Sequence, residues 1–252
     1  MLGKAGDILS ILPCLHAEFR ETGKKPVLVV SKDYSGWVKM QSWLVVEEFD
    51  GGFERLGDAL RWAKARGRVD HIPQMHGIGY PQPKRNHPSF QLDQWDRMGR
   101  LHEWGKLPLA IERFGSIMFP RVAQPSILVA DHSQSSPFAE IDDLILALQN
   151  QFPSHHVTRL SSIRVPLLID LLALYDASDL LVTIDTAHLH LSAASKVPVI
   201  ALASDIPSMW HGSAYHPRFA LHVRYKDYPL RKSELLWTAK KIINGLTALA
   251  QK

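Results

Sequence analysis

Short β-branched and aliphatic runs alternate along this chain with longer stretches of helical period, the pattern of a parallel sheet covered by helices. In the first half, Val27-Leu28-Val29-Val30 and Leu44-Val45-Val46 read as strands, Val69-Asp70-His71-Ile72 as a third, and 7–20 and 56–65 as helices. The alternation restarts in the second half, with strands at 126–130, 156–160, 180–184, 197–202 and 221–225 and helices from about Asp142, Val165, Ala187 and Ser233. Between the halves, 77–121 holds Pro81, Pro83, Pro88, Pro108 and Pro120 and cannot be one regular domain; it carries a helix at 91–104 and a linker near 119–125. The expected class is α/β, with an N-terminal domain over 1–120 and a C-terminal one over 121–252 whose last helix packs back on the first.

The N-terminus departs from this pattern. Gly3-Lys4-Ala5-Gly6-Asp7 has the look of a strand-to-helix turn, yet only Met1 and Leu2 precede it. The strand missing there is usually central in a doubly wound sheet. The expectation is that the natural chain starts upstream or that another segment fills the place.

At 252 residues and 46% hydrophobic content, the chain can bury one large core or two small ones with a cleft. It shows no apolar run of about 18 residues and no signal peptide, so it reads as soluble and cytoplasmic, without a transmembrane segment. Its one cysteine, Cys14, lies among Ile11, Leu12 and Leu15 and reads as a core thiol. Net charge is +4, and 13 histidines add positive charge beside phosphates, which favours anionic ligands weakly. The lysines and arginines are scattered and read as solvated helix ends and loops rather than a nucleic-acid groove.

The strongest local signal is Leu180-Leu181-Val182-Thr183-Ile184 running straight into Asp185-Thr186 and a helical segment from Ala187 to Ser195. A buried strand feeding a helix start presents unpaired N–H groups and a positive dipole end, which suit a phosphate or pyrophosphate. Asp185 or Thr186 serving as a simple cap explains the same pattern equally well. Two further segments are rich in ligand-binding groups. One, from Tyr80 to Trp95, interleaves Lys84, Arg85 and His87 with rings, as a sugar or base site or as a loop packed by its own aromatics; the other, from Pro207 to Arg218, includes Trp210, a ligand contact or a core residue.

Asp185-Thr186-Ala187-His188-Leu189-His190-Leu191-Ser192-Ala193-Ala194 resembles the Asp-Ser/Thr-Gly-x-x-His-x-x-Ala-Ala signature of heptosyltransferases, in glycosyltransferase family 9. Gly6-Asp7-Ile8-Leu9 with Leu12-Pro13-Cys14-Leu15 is similar to that family's opening turn and helix. The resemblance implies a GT-B fold, two Rossmann-like domains facing a cleft. It implies metal-independent, inverting transfer from a nucleotide diphosphate sugar, with no other cofactor, to a glycan or other hydroxyl-bearing acceptor, nucleic acid included. By position, Asp7 becomes the base, or only a helix-start carboxylate. Asp185, Thr186 and the Ala187 backbone hold the donor, and His190 contacts it or orients the turn.

Two departures from the family pattern stand out. Ala187 replaces the signature glycine and requires a right-handed backbone there. The loop Asp131-His132-Ser133-Gln134-Ser135-Ser136 lacks the family's basic residue. Ser133, Ser135, loop amides and His132 then become the phosphate contacts, with charge from Arg164 or Lys196 and with Lys4 a further cleft residue. A non-catalytic nucleotide- or glycan-binding relative and a sugar-nucleotide epimerase are the alternative functions, and oligomeric state is left open.

Overall fold

The computed structural model describes residues 5–67, 90–113, 126–133, 136–204 and 219–250. The chain divides into two compact units, Met1–Phe114 and Gly115–Lys252.

In the first unit, strands β1 (Val27–Ser31) and β2 (Val45–Phe49) pair in parallel, Val27 opposite Val45 and Ser31 opposite Phe49. Helix α1 (Ala5–Thr22) precedes them, and it is buried nearly all round, with Ile8, Leu9, Ile11 and Leu12 fully enclosed. Such a helix is a core element rather than an amphipathic cover. It ends at Gly23, whose φ of +68° and N–H bond to the Phe19 carbonyl (2.8 Å) form a left-handed cap. Helix α2 (Lys32–Val38) follows β1 directly. Its seven residues are too few to show a period, and Ser35-Gly36 are weak helix formers, so the sequence pattern does not announce it.

Helix α3 (Leu56–Lys64) and helix α4 (Phe90–Arg97) complete the described elements of this unit. The helix expected over 91–104 is shorter because Gly99 takes a φ of +69° and turns the chain into a separate 3-10 turn at Leu101–Glu103. The strand expected at 69–72 lies outside the described residues.

The second unit is built on five parallel strands: β3 (Ser126–Ala130), β4 (His156–Arg159), β5 (Leu180–Thr183), β6 (Val199–Ala203) and β7 (Phe219–Arg224), in the order β4-β3-β5-β6-β7. Every residue of β3, β5 and β6 is buried, as expected of strands covered on both faces. One face packs Ile127, Val129, Val182, Ile200 and Val223 against helix α5 (Ile141–Gln151) and helix α8 (Tyr228–Ala250). Helix α6 (Leu171–Asp176) and helix α7 (Ala187–Ser192) contact each other, and α7 also contacts β6.

Two boundaries differ from expectation for steric reasons. The segment expected to turn helical at Val165 meets Pro166, and the first helical turn waits until Leu168–Asp170. By contrast α8 starts at Tyr228, ahead of Ser233, because Pro229 falls in the first turn, where a missing N–H has no intrahelical acceptor to lose. Helix α8 packs on the sheet of its own unit through Tyr228, Leu235, Ala239 and Ile243.

Candidate functional site

Strand order creates the site. From β3 the chain leaves toward α5 and β4, and from β5 it leaves the other way, toward α7 and β6. Connections that diverge from neighbouring parallel strands open a crevice at their carboxyl ends, where α/β sheets bind ligands. The last bond across the pair runs from the Ile184 N–H to the Ala130 carbonyl, 3.3 Å. Beyond it, 131–133 faces 184–187, the two segments expected to hold the donor. The Ser133 hydroxyl donates to the Asp185 carbonyl (3.1 Å) and accepts from the Ser136 N–H (3.1 Å). Ser133 is thus a brace between the two walls.

A second brace comes from a residue to which the sequence reading gave no role. Tyr225, just past β7, accepts the Asp185 N–H (3.2 Å) and donates its hydroxyl to the Ser136 carbonyl (2.9 Å). Burial raises its phenol pKa, so the hydroxyl keeps the proton it donates. The only sequence signal for Tyr225 is its place at the carboxyl end of a strand, the edge where such sites form.

Thr186 caps α7: its backbone is extended, and its side-chain oxygen accepts the His188 N–H at 3.2 Å. Its hydroxyl hydrogen remains available to a ligand oxygen. Ala187 opens the helix, and no described non-glycine residue has a positive φ, so the signature glycine is not needed for backbone freedom. Helix α7 runs only six residues before tightening into 3-10-type bonds at Ala193, Ala194 and Ser195. A helix that short has a weak dipole, and the crevice owes its position to the sheet.

His190, only 6% exposed, is packed inside. Burial pushes it and His188 from the ordinary 6.5 down to about 4, with Asp131 opposing the shift in His188. Both are neutral at pH 7. Between about pH 4 and 6.5 the unfolded chain binds more protons than the native one, so stability falls as pH drops through that window, by up to about 3 kcal/mol per ring. Urea midpoints should decline from pH 7 to 5, and His190→Gln should flatten the decline. A midpoint unchanged over that range would contradict this.

Charge at the crevice is largely committed. The Asp131 carboxylate accepts the Ser161 N–H (3.0 Å) and hydroxyl (2.7 Å) and lies 3.6 Å from Arg159, which also pairs with Asp142. Arg159, at the carboxyl end of β4, is the basic residue the sequence reading missed; the position of its strand beside β3 is what brings it there. Arg164 is exposed, on the connection leaving β4 at the same edge. Lys196 precedes β6 and so lies at the opposite edge, its N–H bonded to Asp176 at 2.7 Å. Ser135, Lys4, Lys84, Arg85 and Trp210 lie outside the described residues.

In the first unit, half-buried Asp7 stands in the first turn of α1. The Ser10 hydroxyl is placed between the Asp7 carbonyl (2.7 Å) and Gln94 Oε1 (2.5 Å), and the Trp95 indole N–H donates to the Ser10 carbonyl at 2.9 Å. Tyr34, in the first turn of α2, is near enough to Asp7 for that charge, after burial and Asp33, to help raise its phenol pKa. Among the described residues no three His, Cys, Asp or Glu side chains gather as metal ligands, and no helix is long and apolar enough to cross a membrane.

No family model and no curated protein matches this sequence. Solved structures do match. A glycosyl transferase family 9 protein from Veillonella parvula superposes with a TM-score of 0.59 at 13% identity, over 100% of this chain and 96% of that one. The two proteins share a fold. The iron-containing dodecameric glycosyltransferase TibC of enterotoxigenic E. coli also gives 0.59 at 13% identity, covering 88% of this chain and 60% of TibC. The E. coli heptosyltransferase WaaC with ADP gives 0.48 at 14% identity, over 94% and 96% of the two chains. At 13% identity, what the first two structures share with this chain is the α/β fold with parallel sheets.

Proposed function

We propose that the protein is a glycosyltransferase that moves a sugar from a nucleoside diphosphate sugar to an acceptor hydroxyl, with inversion and without a metal. The observation that carries this reading is the switch-point crevice, where Ser133 is hydrogen-bonded to Asp185 and the two donor segments form opposite walls. The Thr186 hydroxyl and the Ala187 backbone take the diphosphate, and Asp185 takes the sugar. His190, neutral and buried, orients the turn. The acceptor oxygen attacks the anomeric carbon from the face opposite the diphosphate, the bond to the diphosphate breaks, and Asp7 takes the acceptor's proton. Arg159 and Arg164, at the end of β4 and on the connection after it, are cations at this edge that can meet the departing charge.

The acceptor is a glycan or another hydroxyl-bearing molecule, nucleic acids included. Incubation with a panel of adenine, uridine and guanine sugar nucleotides and mixed acceptors should release nucleoside diphosphate, undiminished by EDTA, with the opposite anomer in the product NMR spectrum. Loss of release in EDTA, or retention of the anomer, would contradict the mechanism.

A second reading, a binding-only relative, is favoured by one observation: Arg159 is already shared between Asp131 and Asp142, leaving the 131–133 wall without a cation of its own. It predicts saturable nucleotide binding with no release.

A further inference from the structure

His188 is unspecified in the signature that Asp185-Thr186-Ala187-His188-Leu189-His190 resembles, and the proposed function gives it no part. Its surroundings are unusual for a histidine in the first turn of a helix. Nδ1 lies 2.7 Å from the hydroxyl of Tyr175, a residue of α6 with no exposed surface. Burial raises the Tyr175 phenol far above its ordinary range, so that hydroxyl is always protonated and donates. Enclosed Tyr175 has no other hydrogen-bond partner among the described residues to receive its O–H, which assigns Nδ1 as the acceptor and the ring proton to Nε2. Burial keeps the ring neutral, and protonating both nitrogens would in addition set two donors against each other across this 2.7 Å contact. Tyr175 is enclosed and occupies Nδ1, so Nε2 is the ring nitrogen left for another partner, and His188 as a whole keeps some exposed surface.

The residue stands beside the crevice. The His188 N–H is bonded to Thr186 on the β5 side, and Asp131, at the carboxyl end of β3, is close enough to act electrostatically on the ring. Asp131 is itself held by Ser161 and Arg159. We propose that His188 is a further donor-site contact, its Nε2–H donating to a diphosphate oxygen, and that Tyr175 is a positioning residue that fixes the ring in the donating tautomer. The inference rests on the nucleoside diphosphate reading of this crevice. It supplies a neutral hydrogen-bond donor where the loop has no lysine or arginine, and a neutral N–H to an anionic oxygen is a charge-assisted bond.

The test uses the full chain with ADP, UDP, GDP and inorganic pyrophosphate as probes. In ¹⁵N NMR, His188 should show a protonated Nε2, an unprotonated Nδ1 and no titration from pH 8 to 5, and saturating nucleoside diphosphate should shift the Nε2 proton. His188→Leu should weaken binding about 10- to 100-fold, and His188→Gln, whose amide keeps an N–H donor, should recover much of it. Tyr175→Phe keeps the burial but frees Nδ1, so the ¹⁵N spectrum should show an Nδ1-protonated tautomer appearing and nucleoside diphosphate binding should weaken. Should His188→Leu not fold, the wild-type ring signals decide. Nucleotide that binds with His188 signals unmoved, or binds His188→Leu as tightly as wild type, overturns this inference and leaves the proposed function standing. A folded wild-type protein that binds none of the probes overturns both.

Discussion

Asp7→Asn is expected to lower turnover by about 10²–10⁴-fold, the usual contribution of a positioned general base, while leaving nucleoside diphosphate affinity unchanged. Asparagine has almost the same shape, so the first turn of α1 keeps its packing and the Ser10 contact to the backbone at residue 7 survives. What is lost is the basic carboxylate that takes the acceptor's proton. Removing a charge from the start of an 18-residue helix costs only about 0.3–1 kcal/mol, too little to unfold the unit. Steady-state rates with the donor identified in the release assay, together with a melting curve, separate the two effects. A variant that turns over at the wild-type rate would move the base elsewhere, and Tyr34 would be the next residue to replace.

Trp95→Ala is expected to cost about 3–5 kcal/mol of stability. The indole is fully enclosed, meets Trp104 edge to face at a centroid distance of 5.0 Å, and donates from Nε1 to the Ser10 carbonyl. Truncation removes this packing and opens a cavity beside the helix that carries Asp7, so turnover should fall along with stability. Trp95→Phe keeps most of the ring and loses the donor, a loss of about 0.5–1.5 kcal/mol plus residual packing. Urea unfolding of the two variants beside wild type checks the order. A Trp95→Ala cost below about 1 kcal/mol would mean that α4 does not hold α1 in solution.

Much of the second unit was legible in the sequence because its three central strands, β3, β5 and β6, are buried on both faces and read as unbroken apolar runs. The strand at 126–130 is found as expected, and the others differ by one or two residues at their ends. The site loops were legible for the same reason: once the strand at 180–184 is placed, Asp185 and Thr186 must lie at its carboxyl end. Sheet order was not legible. Nothing in a linear pattern says that β4 lies outside β3, and only that order brings Arg159 to Asp131 and separates the exits of β3 and β5.

Residues acting through long-range bonds were equally hidden. Tyr225 meets Asp185 across 40 positions, and Tyr175 meets His188 across 13 from a different helix, with no periodicity to mark either. In the first unit α2 escaped because a seven-residue helix carries too little amphipathic pattern, and Gly99 ended α4 early through a backbone angle that composition alone does not reveal.

The central claim is that the nucleoside diphosphate occupies the crevice between the ends of β3 and β5. Amide hydrogen exchange with and without saturating nucleoside diphosphate tests it most directly. The account predicts slowed exchange in peptides covering 131–136 and 185–190, while the peptide covering Lys196 at the far edge of the sheet exchanges as before. Protection confined to other segments, or none at all under conditions where calorimetry shows binding, would contradict it.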